Sequence, residues 1–391
     1  MKRMALIAVI VATTPLLLYG LGWWLVDRVY YPGAPAHDFP PPVDNVDARR
    51  QDLAYFRQYL DLDRSYTDAT RATAEQIIDR LESRLEAISD AEFQLTIARA
   101  VAAADNGHSN VWMGQFSRAH GRIPIRLYWF EDGLYVIRAA PGLSQLVGAQ
   151  LVEVGGEPVA EVAGRLQQFV GGTAEAFRAY RGPIFLELPA ALHTIGVGDS
   201  ESTATMTFRM PGGELAQHVL ASGPVGEDDD LFWPQSYLFE TLPGNTDADW
   251  AALAAEVPDM PLYLQQPDLL FQLGDLPGGG LYLQYRQNYG EGIEAFEGEV
   301  RDALSSGDYR YVVIDQRLNG GGDYTLTEDL MTDLPALLPS GPLYVITGNA
   351  TFSAGINSVA FLRASGGERV VIVGERIGDR ERMYGETNAF E

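Results

Sequence analysis

Ser353 stands in the run Gly-Asn-Ala-Thr-Phe-Ser-Ala-Gly at 348–355, where a strand-like segment gives way to a helix-like one. A serine at such a junction ordinarily caps the helix. It can also be a nucleophile whose oxyanion is held by the helix N-terminus and the Ala354 N–H. The run is not G-x-S-x-G, so it does not signal an α/β-hydrolase elbow. A second loop, Asp315-Gln-Arg-Leu-Asn-Gly-Gly-Gly-Asp323, follows another strand-like run. Gly320, Gly321 and Gly322 expose backbone N–H groups and let a ligand approach closely, which suits an oxyanion or a peptide. A flexible tight turn is the plainer reading. Asp315 and Arg317 are placed to form an ion pair that shapes the loop.

A serine nucleophile needs a base. Lys2 is the only lysine in the chain, so no lysine in the folded part can act as base, Schiff base or phosphate clamp. There is no cysteine, which excludes disulfides, cysteine-ligated zinc and a thiol nucleophile. The candidates are the five histidines. His37 lies in a Pro-rich stretch, His120 follows an Arg-rich turn, and His193 and His218 lie in or beside β-rich runs. His108 sits in Asp105-Asn-Gly-His-Ser-Asn110, a polar turn after a helical run, from which an imidazole can project into a cleft. A surface loop histidine is the plainer reading there too.

These residues need a scaffold. A length of 391 residues predicts two or three domains. A net charge of −25 argues against a nucleic-acid partner, because phosphates would be repelled. Residues 46–104 read as helical, with Ile77, Ile78, Leu81, Leu85 and Ile88 at helical spacing and a capping-box pattern at 89–92. From residue 123 the pattern turns to short β-rich runs separated by Asp-Gly and Gly turns, ending in a hairpin over 202–220. Residues 223–258 are acidic and weakly patterned, and read as a connecting loop. From residue 281, strands at 281–285, 311–315, 343–347 and 370–373 alternate with helices at 293–304, 325–337 and 353–364. That rhythm predicts a parallel sheet with right-handed crossovers, whose sites lie beyond the carboxyl ends of the strands.

At the N-terminus, Lys2 and Arg3 precede an uncharged run over residues 4–26. As a helix it would span on the order of 30 Å, one bilayer core. Trp23, Trp24, Tyr30 and Tyr31 follow as an interfacial aromatic belt. The expectation is a single-pass membrane anchor with the rest of the chain outside the cytoplasm. A cleaved signal segment, leaving a periplasmic or secreted protein, is the alternative. Residues 32–43 read as a stiff Pro-rich linker.

Taken together, the segments resemble the C-terminal processing, or tail-specific, serine peptidases over residues 46–391. The match rests on Asp315, Arg317, Asn319, Gly321 and Gly322 for a D-x-R-x-N-x-G-G loop. It rests also on Thr351, Ser353 and Ala354 for T-x-S-A, and on Val373, Gly374 and Glu375 for V-G-E. One branch of that family uses a lysine base shortly after V-G-E. Arg380 stands near that place, and an arginine stays protonated. The tricorn-like branch carries D-G-H-[ST] instead, similar to Asn106-Gly107-His108-Ser109, with Asn for Asp. Gly378, Tyr384, Gly385 and Glu386 agree with that branch as well.

The resemblance implies an α/β fold: a crotonase-like ββα core (263–391), a helical N-terminal region (46–119) and a PDZ-like β-rich domain (120–222). It implies an extracytoplasmic serine peptidase acting on a polypeptide substrate. Ser353 would be the nucleophile and His108 the base, with Gly321 and Ala354 as the oxyanion hole and Gly320, Gly322 and Asn319 binding substrate. It implies neither a metal nor another cofactor. A catalytically inactive peptide- or ligand-binding relative is the alternative. The branch draws the acid that orients its histidine from well downstream. The chain stops at Glu391, so the sequence reads as lacking that acid and as leaving a sheet edge unpaired.

Overall fold

The computed structural model describes residues 19–26, 34–111, 113–172, 180–226, 234–242, 248–380 and 382–385. Most of the expected anchor, residues 4–18, lies outside the described residues. Residues 19–26 are helical. Among the described residues, no helix is long and apolar enough to cross a membrane.

Three helices open the fold, each with its own cap. Asp44 caps α1 (Asn45–Leu62) by accepting the Asp47 N–H. Thr67 and Thr70 form a reciprocal box at α2 (Asp68–Glu82). Ser89 caps α3 (Asp90–Ala102) by accepting the Glu92 N–H at 3.1 Å. The Glu92 carboxylate does not close the expected box and pairs instead with Arg84 at 3.0 Å. The apolar stripes of the three helices meet in one cluster around Leu53, Ile78, Leu81, Phe93 and Val101. The Pro-rich stretch does not stand clear of this region. The Tyr55 hydroxyl donates to the Pro35 carbonyl at 3.0 Å, and the His37 ring meets Tyr55 edge-on at 4.7 Å. A short α4 (Met113–His120) leads into the first sheet.

That sheet contains β1 (Ile125–Phe130), β2 (Gly133–Ala139), β3 (Gln150–Val154) and the short β4 (Glu157–Pro158). The helix α5 (Val159–Leu166) and two Pro-initiated helices, α6 (Pro183–Leu186) and α7 (Pro189–Thr194), follow. The hairpin of β5 (Thr203–Arg209) and β6 (Leu215–Ala221) completes the order β1-β2-β3-β5-β6. His193 lies in α7, just ahead of β5. The segment read as a connecting loop contributes β7 (Ala251–Ala252), which pairs with β2 through Arg138 and Ala139. Two residues pairing across more than a hundred leave no periodicity to read.

The second sheet follows the sequence pattern closely. The antiparallel β8 (Phe271–Leu276) flanks β9 (Gly280–Tyr285). Then come α8 (Ile293–Ser306), β10 (Tyr311–Asp315), α9 (Thr325–Leu337), β11 (Leu343–Thr347), α10 (Ala354–Gly366) and β12 (Val370–Gly374). β9 to β12 are parallel and lie in sequence order. With right-handed crossovers, such an order puts α8, α9 and α10 on one face. Leu283, Val312, Ile314 and Val345 meet Val300, Leu334 and Leu362 in the core there. β12 is an edge strand, with Val371, Ile372 and Val373 exposed. Ala350 and Phe352, from the loop between β11 and α10, pack into the core of the other sheet.

Candidate active site

Ser353 occupies the junction of the β11 loop and α10 with φ 51° and ψ −125°. This is a backbone state an L-residue with a Cβ rarely adopts. The serine makes no side-chain cap bond to its helix. The ordinary helix-cap reading is therefore not what the structure shows, and the strained turn resembles a nucleophile elbow without its G-x-S-x-G sequence. The Ala354 N–H, at the first position of α10, has no partner among the described residues.

The glycine loop lies directly against the serine. A Cβ on Gly321 would come 2.5 Å from the Ser353 Cβ and 3.1 Å from the Ala354 nitrogen, and its φ of 105° suits only glycine. The Gly321 N–H donates to Asn319 Oδ1 at 2.9 Å. The Gly322 N–H has no partner among the described residues. Gly320 donates its N–H to the Arg286 carbonyl at 3.2 Å. Asn319 is fully buried, and its Nδ2 donates to Asn288 Oδ1 at 2.6 Å and to Gln316 Oε1 at 2.5 Å. Its contacts shape the loop from below. The Asp315–Arg317 pair forms as expected, through Nε to Oδ1 at 2.9 Å and Nη2 to Oδ2 at 2.8 Å. The Arg317 guanidinium also lies 4.0 Å over the Tyr263 ring.

Behind this loop is a residue the sequence reading passed over. Asn288 is fully buried and donates to Thr327 Oγ1 at 2.6 Å, Ser358 Oγ at 2.8 Å and the Ala354 carbonyl at 3.3 Å. Its backbone N–H donates to the Gly321 carbonyl at 2.7 Å. One side chain thus ties the glycine loop to the start of α10. A lone Asn after a strand carries no sequence signal for such a role.

His108 approaches from the helical region. Its ring stacks on Phe352, the residue before Ser353, with centroids 4.4 Å apart. Both ring nitrogens are buried without a hydrogen-bond partner among the described residues. Burial, and then the Arg181 charge, push the imidazole pKa down to about 4. Gly385 faces Nε2, where a Cβ would stand 3.3 Å away.

The turn is held by Asn106, whose Nδ2 donates to Ser109 Oγ at 3.1 Å and to the Tyr384 carbonyl at 3.0 Å. Its Oδ1 accepts the Tyr384 N–H at 3.3 Å. An aspartate could accept but not donate, so Asn at this place has its own structural reason. On the other side of the ring, Asp379 Oδ2 lies 4.0 Å from His108 Nδ1. Asp379 accepts the Gly107 N–H at 3.0 Å and the Arg380 N–H at 2.7 Å. Arg380 itself pairs with Asp105 at 2.9 Å. Glu375 does not face the histidine; it is exposed at the end of β12.

Ser353, Ala354, Gly322, Phe352, His108 and Tyr384 line one cleft of about 2060 Å³. The structure brings the serine, the glycine loop and the histidine to that cleft, with no hydrogen bond between His108 and Ser353.

No family model matches the chain. No curated protein matches it either. Solved structures do. Mature CPAF in complex with lactacystin aligns over 85% of this chain and 85% of its own, at 14% identity and a TM-score of 0.53. A mutant CPAF structure aligns over 85% and 84%, at 15% identity and a TM-score of 0.51. The photosystem II D1 C-terminal processing protease is also matched, over 85% and 82%, at 14% identity and a TM-score of 0.36. The chain shares the mixed α/β, two-sheet fold of the CPAF structures, in line with the resemblance carried by the three motifs.

Proposed function

We propose that the chain is a serine peptidase hydrolysing polypeptides, with Ser353 as nucleophile and His108 as base. The observation that carries this is Ser353 itself: a strained, uncapped serine beside an open helix-terminal N–H, in a cleft shared with a buried neutral imidazole. Strain of this kind persists where the surroundings enforce it, and such places cluster at active sites. Supporting it, mature CPAF, whose fold the chain shares, was solved in complex with lactacystin.

In this reading His108 takes the Ser353 proton through Nε2 as Oγ attacks the scissile carbonyl. The Ala354 N–H meets the developing oxyanion. Gly321 is the second donor the motif implies. Its N–H is turned to Asn319, so it would serve after a peptide rotation, while the Gly322 N–H is already open. The protonated imidazole then delivers its proton to the leaving amine, and water hydrolyses the acyl-enzyme. Gly320, Gly322 and Asn319 are the proposed substrate-side loop, with Asn319 acting through the loop's shape. The cleft is larger than the roughly 300–1,000 Å³ of a small-molecule site, which favours an extended chain as occupant. In the same reading the second sheet is the crotonase-like core. The first sheet is the PDZ-like part, presenting an edge to a peptide.

The test is labelling by a fluorophosphonate probe. The wild-type chain should be labelled and Ser353→Ala should not. A folded wild-type protein that resists the probe would instead support the binding-module reading, which the missing Ser353–His108 hydrogen bond favours. We further propose that residues 4–26 anchor the protein with its folded part outside the cytoplasm. The supporting features are the uncharged run and the exposed Tyr19, Trp23 and Trp24 on the helical residues 19–26. Mass spectrometry of the membrane fraction should recover the N-terminal peptide; a mature form starting near Pro32 would show cleavage.

A further inference from the structure

We propose that Asp379 is the positioning residue for His108, the carboxylate that fixes the imidazole with its proton on Nδ1 and leaves Nε2 free to act. This rests on the peptidase reading of Ser353 and His108. The family resemblance implies an acid well downstream of the serine, whereas the geometry points to Asp379.

Four observations carry the assignment. Asp379 Oδ2 lies 4.0 Å from Nδ1, and the two side chains are 2% and 9% exposed. Among the described residues, Nδ1 has no hydrogen-bond partner. The carboxylate is not free to wander, since the Gly107 N–H holds Oδ2 and the Arg380 N–H holds Oδ1. The backbone around it is fitted to the contact. A Cβ on Gly107 would collide with the Asp379 carboxylate and come 2.9 Å from the Phe352 ring. Only glycine lets the carboxylate and the Phe352 ring both reach the histidine turn.

The remaining gap is about 1 Å beyond hydrogen-bond range. Catalytic hydrogen bonds are often long before substrate binds and tighten in the complex. An Nδ1–H donated to Asp379 sets the tautomer and supports the imidazolium that forms when Nε2 takes a proton. The charged groups facing this pair are Arg181 on the ring side, with Asp105 and Arg380 beyond the carboxylate. Burial raises the Asp379 pKa above its ordinary value, and the Arg380 and Gly107 N–H bonds oppose that rise.

The experiment compares the full chain with Asp379→Asn and Asp379→Glu. Turnover of a peptide substrate and the rate of Ser353 labelling are followed from pH 5 to 9, and 15N NMR of the His108 ring reports its tautomer. Asp379→Asn should lower kcat by on the order of 10²–10⁴-fold with KM little changed, and shift the acid limb; losses near the upper figure follow the corresponding change in Ser-His-Asp enzymes. Asp379→Glu should restore at least part of that loss. The wild-type ring should carry its proton on Nδ1, and Asp379→Asn should lose that preference. Wild-type labelling that Asp379→Asn leaves unchanged would overturn the assignment, as would a wild-type ring protonated on Nε2. The ring measurement needs no activity, so it judges Asp379 even if the probe shows that Ser353 is not a nucleophile.

Discussion

The serine side and the histidine side of the cleft are finished to different degrees. Around Ser353 the groups that shape the backbone are satisfied. Asn288, Asn319, Thr327 and Ser358 are buried and bonded to one another and to the loop. Around His108 the backbone is equally well held, by Asn106 and Asp379, yet the ring has two buried nitrogens with no hydrogen-bond partner among the described residues. A buried polar atom without a partner costs about 1–3 kcal/mol, so the ring gains by finding one. The buried side chains that shape the serine loop have no such gain to make, and what is open there is the backbone N–H of Ala354 and of Gly322, among the described residues. On the peptidase reading, the proposed nucleophile would be set before substrate arrives. On that reading, binding would have to bring the proposed base into register and turn the Gly321 peptide away from Asn319.

The sharpest way to break this comparison is to remove each side in turn. Ser353→Ala and His108→Ala should each cut peptidase turnover by on the order of 10⁴-fold or more, and the double variant should lose little beyond either, since such pairs act as one unit. Near wild-type turnover in His108→Ala would leave the serine side working alone and end the two-sided picture. Next comes Gly321→Ala, which presses a methyl group onto the Ser353 Cβ at 2.5 Å. Misplacing the serine by about 1 Å should cost around 10²-fold in kcat. Unchanged kcat would show the serine side to be softer than its hydrogen bonds suggest.

Asn288→Ala should cost about 1–3 kcal/mol in a denaturant titration, because it strands Asn319, Thr327 and Ser358 in the interior. A loss of activity without loss of stability would mean that Asn288 acts on the loop's aim alone. The smallest effect is in pH. His108 has a folded pKa of about 4 against an ordinary 6.5, so the neutral ring is favoured in the folded state. Its contribution to stability is complete above about pH 6.5 and is lost as pH falls through about 4. The acid limb of kcat/KM, which reports the free enzyme, should follow the same group. A limb near pH 6.5 would mean that burial does not set the ring's protonation, either because the ring is in water or because a carboxylate offsets its burial.

Much of the second sheet was legible in the sequence because each strand and helix there is a local, periodic segment of ordinary length. The Ser353 loop, the glycine loop and the Asn106–Ser109 turn were legible for a related reason: each is a short run with unusual composition. What joins them was not. Gly107 and Asp379 are bonded across 272 residues of chain, and nothing in Arg376–Arg382 distinguishes that aspartate from a surface one. The Ser353 φ angle and the Asn288 network are likewise products of packing, and an asparagine of no special pattern is held there by neighbours from three separate segments. The Asn at 106 read as a departure from a motif, and only its grip on Tyr384 gives it a positive reason.

Ser353 also bears on how the protein withstands heat. A side chain held at φ 51° costs on the order of 1–3 kcal/mol, a penalty that glycine does not incur. Ser353→Gly should therefore melt at a higher temperature than either the wild type or Ser353→Ala, since alanine keeps the offending Cβ. Selection for thermal persistence alone would favour the glycine form and discard the hydroxyl. On the peptidase reading, a serine retained at this angle would be a place where durability has been given up for reactivity.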